Sequence, residues 1–207
     1  MEVVKQMSRM IFRCGDRKEK NIALTFDDGP DPEYTIPILK ILRKHNVKAT
    51  FFITGKKAQE YPEIVRKLIY NGQELGNHSY SHRSLILKTM NYVKSEIEKT
   101  DEILKSFGIQ GEILFRPPYG RIDAISIMVF WKLQKKIVLW DNSPKDFKYT
   151  SSENIAKKVL KKMKPGSIIV LHDGGGDRSN TVKAVEILIP ELLKRGYFIK
   201  KVSELIS

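Results

Sequence analysis

Short apolar runs alternate with amphipathic segments along most of the chain. Seven runs rich in β-branched and aromatic residues are predicted to be strands: 22–26, 48–54, 73–78, 112–116, 136–140, 167–172 and 197–202. Most of them are continuously apolar, which is typical of strands buried on both faces of a parallel sheet.

The segments between these runs have the period of helices. In 151–163, Ile155, Val159 and Met163 recur every four residues, as expected for one buried helix face. Further helices are predicted near 32–45, 61–71, 89–107, 122–133 and 180–195. Strands that alternate with helices indicate an α/β fold, either an open doubly wound sheet or a (β/α) barrel. In both folds the chemistry lies in loops after the carboxyl ends of the strands.

The composition is that of an ordinary globular domain. The chain has 207 residues, of which 41% are hydrophobic, and no apolar run approaches the roughly 20 residues that span a bilayer. No uninterrupted apolar signal-peptide core is visible at the N-terminus. We therefore expect a cytoplasmic protein, or an extracellular or cell-wall protein if an export signal lies outside this chain. Cys14 is the single cysteine, which excludes a disulfide within the chain and a thiolate metal site.

The net charge of +13 bears on the partners of the protein. Lysines occur on almost every predicted helix and are not gathered with aromatic residues in one stripe. This distribution favours solvated helix faces in anionic surroundings over a nucleic-acid interface. We expect no nucleic-acid partner.

Polar residues collect at the predicted strand ends. The set is Asp27 and Asp28, His78 to His82, Arg116 to Gly120, Asp141 and Asp146, and His172 to Gly174. Three of the four histidines of the chain belong to it; the fourth, His45, is predicted to end a helix and to have no chemical role. The polar set at the strand ends indicates a reaction centre on one rim of the sheet.

His78 and His82 are the strongest candidates for metal ligands. Their four-residue spacing lets both imidazoles face one way, although an isolated pair is more often two surface histidines. A carboxylate on the same rim favours the metal site, because two His and one Asp leave coordination positions open for water and substrate. Since neighbouring side chains at a strand end diverge, one of Asp27 and Asp28 can bind the metal while the other acts as a base. The alternative for this doublet is an ordinary turn.

Arg116 and His172 are the other two candidates. Arg116 precedes Pro117 and Pro118, and we interpret it as a clamp on a carboxylate; the alternative is a surface arginine. His172 ends an apolar strand, where a histidine can be structural or catalytic. Glycines 174–176 lack the Gly-Lys-Ser/Thr ending of a phosphate loop, which argues against nucleotide binding.

Four ordered motifs resemble the polysaccharide deacetylase family, also called the NodB-homology domain or carbohydrate esterase family four. They are TFDDGP (25–30), HSYSH (78–82), RPPYG (116–120) and the LH of IVLHDGGG (169–176), and the resemblance covers about residues 21–205. It implies a distorted (β/α) barrel with about seven parallel strands and an active site at their carboxyl ends. Residues 1–20 would then be an N-terminal extension, and residues 21–207 the catalytic domain.

The resemblance also implies residue roles. Asp27 would be the general base, held by Arg116, and His172 the general acid. The metal ligands would be Asp28, His78 and His82, around a divalent ion for which zinc ranks ahead of cobalt, nickel, manganese and iron. The backbone N–H of Tyr119 would help to hold the oxyanion, and Leu171 would line the acetyl pocket.

The fourth family motif is altered in this sequence. The family commonly has Asp-Trp where this chain has Asp146 and Phe147. Asp146 is predicted to support the catalytic histidine, with Asp141 as the second candidate. Phe147, Pro117, Tyr119 and Leu171 are predicted to contact substrate.

The resulting functional prediction is a metal-dependent N-deacetylase that acts on a glycan with N-acetylated amino sugars, such as peptidoglycan or a chitin-like oligomer, and releases acetate. We expect it to be monomeric. The alternatives are an O-acetyl esterase on acetylxylan-type polysaccharide, a glycan-binding module on an inactive scaffold and a nucleic-acid-binding protein. The last of these depends on charge alone.

Overall fold

A computed structural model of the protein describes residues 10–148 and 150–207. Its strands, in chain order, are β1 (Ile11–Phe12), β2 (Asn21–Asp27), β3 (Thr50–Ile53), β4 (Glu74–Asn77), β5 (Ile137–Val138), β6 (Ile168–His172) and β7 (Phe198–Lys200). All strand pairs in this part of the chain are parallel. The carboxyl ends of the paired strands therefore share one rim, where the polar motifs of the sequence meet.

The strands form a ring that is closed by three single-residue bridges. The longest hydrogen-bonded path runs β4–β3–β2–β6, and β7 pairs with the first part of β2. On one side, Phe115 bridges to Asn77 of β4 and to Ile137 of β5; on the other, Asn142 bridges to Ile169 of β6. These links join β4 to β5 and β5 to β6. The predicted distorted barrel is confirmed.

One predicted strand is reduced to a bridge. Within 112–116, which we predicted to be a strand, only Phe115 pairs with its neighbours. The proline pair that follows carries no N–H donors and cannot extend the ladder. The predicted strand at 136–140 is similarly short, with Ile137–Val138 as its paired part.

The ends of the chain differ from the pattern-based prediction as well. β7 ends at Lys200, and a short helix, Val202–Leu205, follows it where the strand was predicted to continue. At the other end, β1 pairs with β5 although it precedes the predicted domain boundary at residue 20. Residues 1–9 of the predicted extension lie outside the described residues, and that boundary stays a prediction.

The helices surround the strands. They are α1 (Thr35–Lys44), α2 (Gly55–Glu60), α3 (Pro62–Tyr70), α4 (Met90–Ser106), α5 (Ala124–Lys132), α6 (Ser152–Lys162), α7 (Ser179–Lys194) and α8 (Val202–Leu205). The predicted helix 61–71 is preceded by α2, which the sequence pattern did not reveal. Pro62 is the first residue of α3, a position that needs no N–H donor and therefore starts a new helix.

Alternation along β2 and β6 directs their apolar side chains into two of the three core clusters that the described residues form. Leu24, Phe26, Ile169 and Leu171 belong to the large cluster that packs against α1, α6 and α7. Their neighbours Ala23 and Ile168, together with Phe52, Leu114 and Val138, form a smaller cluster on the opposite face, inside the ring. No helix among residues 10–148 and 150–207 has the length and apolar character that a membrane crossing requires.

Candidate active site

The two adjacent carboxylates at the end of β2 face different partners. Asp27 is the last residue of the strand and is buried, with 2% of its surface exposed. Asp28 follows it with a φ of 74°, which turns its side chain away from the strand direction. As a result, Asp27 contacts Arg116 while Asp28 lies beside two histidines.

Asp28, His78 and His82 form a compact cluster. One ligand atom from each lies within 4.8 Å of the others. The Oδ1 atom of Asp28 is 3.4 Å from Nε2 of His78 and 3.0 Å from Nε2 of His82. The structure thus brings together the three side chains that the resemblance implied as metal ligands.

The chemistry of this cluster fits a divalent metal ion. Oδ1 of Asp28 is buried and, although the two imidazole nitrogens lie beside it, accepts no hydrogen bond of good geometry from them or from any other described residue. This is costly unless a cation meets the oxygen. Nδ1 of His78 is 2.7 Å from the carbonyl oxygen of Arg116; when Nδ1 carries the proton and donates it to that oxygen, Nε2 is left free to bind a metal. Two imidazoles and one carboxylate form a common catalytic zinc ligand set.

The local electrostatics agree with an ionised Asp28. Burial acts to raise the pKa of this carboxyl, but the adjacent imidazoles of His78 and His82 outweigh burial and hold its pKa well below the usual range. The side chain is therefore a carboxylate, the form that binds a metal.

Buried polar groups hold the loop that carries the two histidines. Glu96 of α4 accepts hydrogen bonds from the N–H and the hydroxyl of Ser81, at 2.8 and 2.9 Å. Asn77 accepts one from the N–H of Ser79 at 2.8 Å. Sequence reasoning did not identify Glu96 or Asn77, because neither has a motif that distinguishes it from a surface residue.

Arg116 is fully buried inside the ring. Its Nη1 donates to Oδ1 of Asp27 at 2.6 Å and to the hydroxyl of Thr25 at 2.7 Å, and Nε donates to the carbonyl of Val138 at 3.1 Å. The guanidinium also stacks on Phe52 at 4.0 Å. The alternative of a surface arginine is wrong, and Thr25 is a further residue that the sequence did not single out.

His172 and Asp146 form the second polar pair of the rim. Asp146 is buried; its Oδ1 lies 2.8 Å from Nδ1 of His172, and its Oδ2 accepts a hydrogen bond from the His172 N–H at 2.8 Å. Burial acts to lower the pKa of His172, but the hydrogen bond and the charge of Asp146 outweigh it and raise the pKa to about 9. At neutral pH the side chain of His172 is therefore in the positively charged imidazolium form.

Asp141, the second candidate for this support, has other partners. It accepts hydrogen bonds from Arg17 at 2.7 Å and from the N–H of Ile168 at 2.9 Å. Its carboxylate thus joins the segment before β2 to the start of β6. It makes no hydrogen bond to His172 in the described part of the chain.

A cavity of about 570 Å³ connects these groups. Its lining includes Asp27, Asp28 and His172 together with Tyr119 and Phe147. Tyr119 has a φ of 61°, and its ring lies 4.9 Å from that of His82. Phe147 meets His172 edge-on at 5.4 Å. Both aromatic side chains are more than half exposed, so they are accessible to a ligand.

Two residues that were predicted to contact substrate do not line the cavity. Leu171 is buried in the large core cluster, because alternation along β6 turns it toward the helices. Val170 lines the cavity in its place. Pro117 is also buried and does not line the cavity; its carbonyl accepts a hydrogen bond from Gly120 and so shapes the turn that presents Tyr119.

Asp173 is a buried acid of the rim set to which the sequence analysis assigned no role. Its N–H donates to the carbonyl of Asp27 at 3.0 Å, and its Oδ2 accepts from the hydroxyl of Thr35 at 2.5 Å. Burial raises the pKa of Asp173 to about 7. Asp173 therefore links the end of β2 to the first residue of α1, across the turn that follows Asp28. His45 lies at the C-terminal end of α1, away from the cavity.

Comparisons with known proteins give consistent results. The family model described as polysaccharide deacetylase matches residues 15–138. A peptidoglycan-N-acetylglucosamine deacetylase of Bacillus cereus is 38% identical over 190 residues, which cover 91% of this chain and 89% of that protein. A chitooligosaccharide deacetylase of Azorhizobium caulinodans is 33% identical over 209 residues, covering 95% and 97% of the two chains.

The solved structures agree with the sequence matches. A crystal structure of a peptidoglycan N-acetylglucosamine deacetylase superposes with a TM-score of 0.92 at 35% identity, covering 95% of this chain and 92% of that one. The similarity therefore extends over the strands, the rim loops and the helices alike.

Proposed function

This chain belongs to the polysaccharide deacetylase family, and from that premise we propose that it is a metal-dependent N-deacetylase of peptidoglycan or chitin-like glycans. The observation that carries the proposal is the cluster of Asp28, His78 and His82, which shares one cavity with Asp27 and His172. The relatives named above act on peptidoglycan and on chitooligosaccharides, which supports an N-acetylated amino sugar as substrate.

We further propose that the ion is zinc. A His, His, Asp ligand set leaves coordination positions open, as catalytic zinc sites do. When bound, such an ion lowers the pKa of a water molecule and polarises the acetyl carbonyl. Because two imidazoles and one carboxylate also bind other divalent ions, elemental analysis of the purified wild-type protein tests the identity of the metal.

Asp27 is the general base in the proposed mechanism. Its Oδ1 is fixed by the Arg116 guanidinium at 2.6 Å, and its Oδ2 lies 3.8 Å from Nε2 of His78, next to the metal ligands. Because Arg116 already fixes the orientation of this carboxylate, it can take the proton of the attacking water without a further cost in conformational entropy. Arg116 therefore acts as a positioning residue.

His172 is the general acid in the proposed mechanism. In the register of the sheet it lies opposite Asp27, and its raised pKa keeps it protonated at neutral pH. It can therefore donate a proton to the departing amine, which leaves as a neutral amino sugar while acetate is released. The N–H of Tyr119 is the proposed oxyanion donor, an interaction worth about 3–4 kcal/mol in comparable sites.

Replacing the carboxylate ligand tests the proposal directly. We expect Asp28→Ala to lose both bound metal, measured by elemental analysis, and acetate release from N-acetylglucosamine oligomers. Asp16→Ala removes an exposed aspartate that does not line the cavity and serves as the matched control. Acetate release by Asp28→Ala at the wild-type rate would contradict the assignment.

The same assay separates the two acetyl chemistries. An alkoxide needs less help from an acid than an amine does, so a site with a protonated His172 favours the amide substrate. We expect faster acetate release from N-acetylglucosamine oligomers than from acetylated xylan. The opposite order would identify an O-acetyl esterase.

A further inference from the structure

The wall of the cavity beside the metal-ligand loop carries two cations. Lys56 and Lys57, in the first turn of α2, both line the cavity. The N–H of Lys56 donates to the carbonyl of Tyr80 at 3.0 Å, and the N–H of Gly55 donates to that of Ser79 at 3.0 Å. The backbone of α2 is thus tied to the loop that holds His78 and His82.

The charges of the cavity leave one of these lysines without a partner. Arg116 balances Asp27, and Asp28 faces the histidines. Lys57 lies 3.5 Å from Asp31. Within residues 10–148 and 150–207, no carboxylate lies within ion-pair distance of the ammonium group of Lys56, which is exposed at the cavity wall.

We propose that Lys56 forms a subsite for a carboxylate carried by the substrate glycan; this inference rests on the proposed function and concerns which glycan the site prefers. A cation whose backbone is fixed next to the reaction centre attracts an acidic group close to the acetyl group that is cleaved. In peptidoglycan, such a carboxylate is either the lactyl acid of a peptide-free muramic residue or an acid of the attached peptide. Chitin-like oligomers have neither.

The test compares Lys56→Gln with the wild-type enzyme on three glycans of equal length. They are an N-acetylglucosamine oligomer, a peptide-free oligomer that alternates N-acetylglucosamine with N-acetylmuramic acid, and the same oligomer with its peptides. For a solvent-accessible charge pair, we expect the substitution to lower the ratio of kcat/KM for the acidic glycan to that for the neutral one about two- to fivefold. The acidic glycan that shows the drop identifies the source of the carboxylate.

Lys158→Gln is the matched control, since Lys158 is an exposed lysine of α6 that does not line the cavity. It removes the same net charge, so we expect it to leave the ratio unchanged. The preference of the wild type for the acidic glycan should also weaken as salt is raised from about 0.01 to 0.15 M, because screening shortens the range of the charge. For Lys56→Gln this salt dependence should be smaller.

The outcomes distinguish the subsite from the proposed function. An unchanged ratio for Lys56→Gln, or an equal drop for Lys158→Gln, overturns the subsite while leaving the deacetylase activity intact. If the wild type releases no acetate from any of the three glycans, the proposed function fails. The subsite is then decided by calorimetric binding of the two acidic glycans: it is overturned if Lys56→Gln binds both as tightly as the wild type does.

Discussion

A guanidinium buried inside a ring of strands needs a protein carboxylate to balance its charge and protein acceptors for its N–H groups. Arg116 meets this requirement with the carboxylate of Asp27, the hydroxyl of Thr25 and the carbonyl of Val138. The same bonds hold the proposed base in one orientation. One buried ion pair therefore serves both the stability of the ring and the geometry of the site.

Arg116→Met should therefore reduce stability as well as activity. The substitution leaves the buried Asp27 carboxylate without its cation, and breaking a pair in this way costs about 3–5 kcal/mol of unfolding free energy. Urea unfolding measures the loss. In the double variant with Asp27→Asn, the charge is gone and part of the stability should return; a double variant as unstable as the sum of the single changes would contradict the pairing.

His172 gives the enzyme an expected alkaline limit. Acetate release needs the protonated imidazole, so kcat should fall as the pH rises through about 9, the raised pKa of this residue. In Asp146→Asn the imidazole loses its carboxylate partner, and the limit should move toward the ordinary histidine value of about 6.5. Asp141→Asn, in the same loop, should leave the profile in place.

The same pKa shift has a consequence for stability. Because the pKa of His172 is higher in the folded than in the unfolded chain, its contribution to stability is fully present below about pH 6.5 and is lost as the pH rises through about 9. Urea unfolding at several pH values should show this decline in the wild type and a weaker one in Asp146→Asn. Equal declines would contradict the role of Asp146.

At the scale of elements, the loop between β6 and α7 lies against Asp28. Its glycines are held by Arg178, whose guanidinium donates to the carbonyls of Gly174 and Gly175 at 2.8 and 2.9 Å. Gly175 has a φ of 76°, and a Cβ atom there would lie 2.8 Å from Oδ2 of Asp28. The loop therefore needs glycine both for its backbone and for the space beside the carboxylate.

Gly175→Ala should consequently weaken metal binding. The added methyl group would displace the Asp28 carboxylate, and titration calorimetry with Zn²⁺ should show a lower affinity. Gly108→Ala is the matched control, since Gly108 has a φ of 88° but nothing within 4 Å of the added Cβ. Both variants should lose about 1 kcal/mol of stability from the left-handed backbone. Equal metal affinities in the two would contradict the contact.

At the scale of the whole molecule, the metal ligands come from distant parts of the chain. Asp28 follows β2, whereas His78 and His82 follow β4. An ion bound by all three would join two strand ends of the ring, and it can bind in this way only when the ring is folded. Metal binding should therefore stabilise the native state.

We expect divalent metal to raise the melting temperature. At a free metal concentration 100 times the dissociation constant, binding adds about 2.7 kcal/mol, which is roughly 5–10 °C for a domain of this size. Differential scanning calorimetry with Zn²⁺, and again after chelation, measures the shift. Asp28→Ala should show a much smaller one, and an equal shift in both proteins would place the stabilising ion elsewhere.

Much of this protein is determined by local sequence. The apolar runs at 22–26 and 167–172 indicated buried parallel strands, because strands that are covered on both faces are apolar at every position. His78 and His82 could also be named in advance from their chemical type and their place at a strand end. The choice of Asp28 over Asp27 as the third ligand came from the family resemblance.

Other features were decided by tertiary structure, because they depend on which face of a strand or which distant segment a residue meets. Leu171 and Val170 are both apolar in the sequence. Only the placement of β6 in the ring decides which face of the strand, and so which of these two side chains, lies toward the cavity. Asp141 and Asp146 are both aspartates of the loop after β5. Only the packing of that loop on β6 brings Asp146 within hydrogen-bond distance of His172 and Asp141 within that of Ile168. Phe115 completes the ring through single bridges, although the pattern at 112–116 predicted a strand. Local sequence determined the type of most elements, and long-range contacts determined their partners and the extent of their pairing.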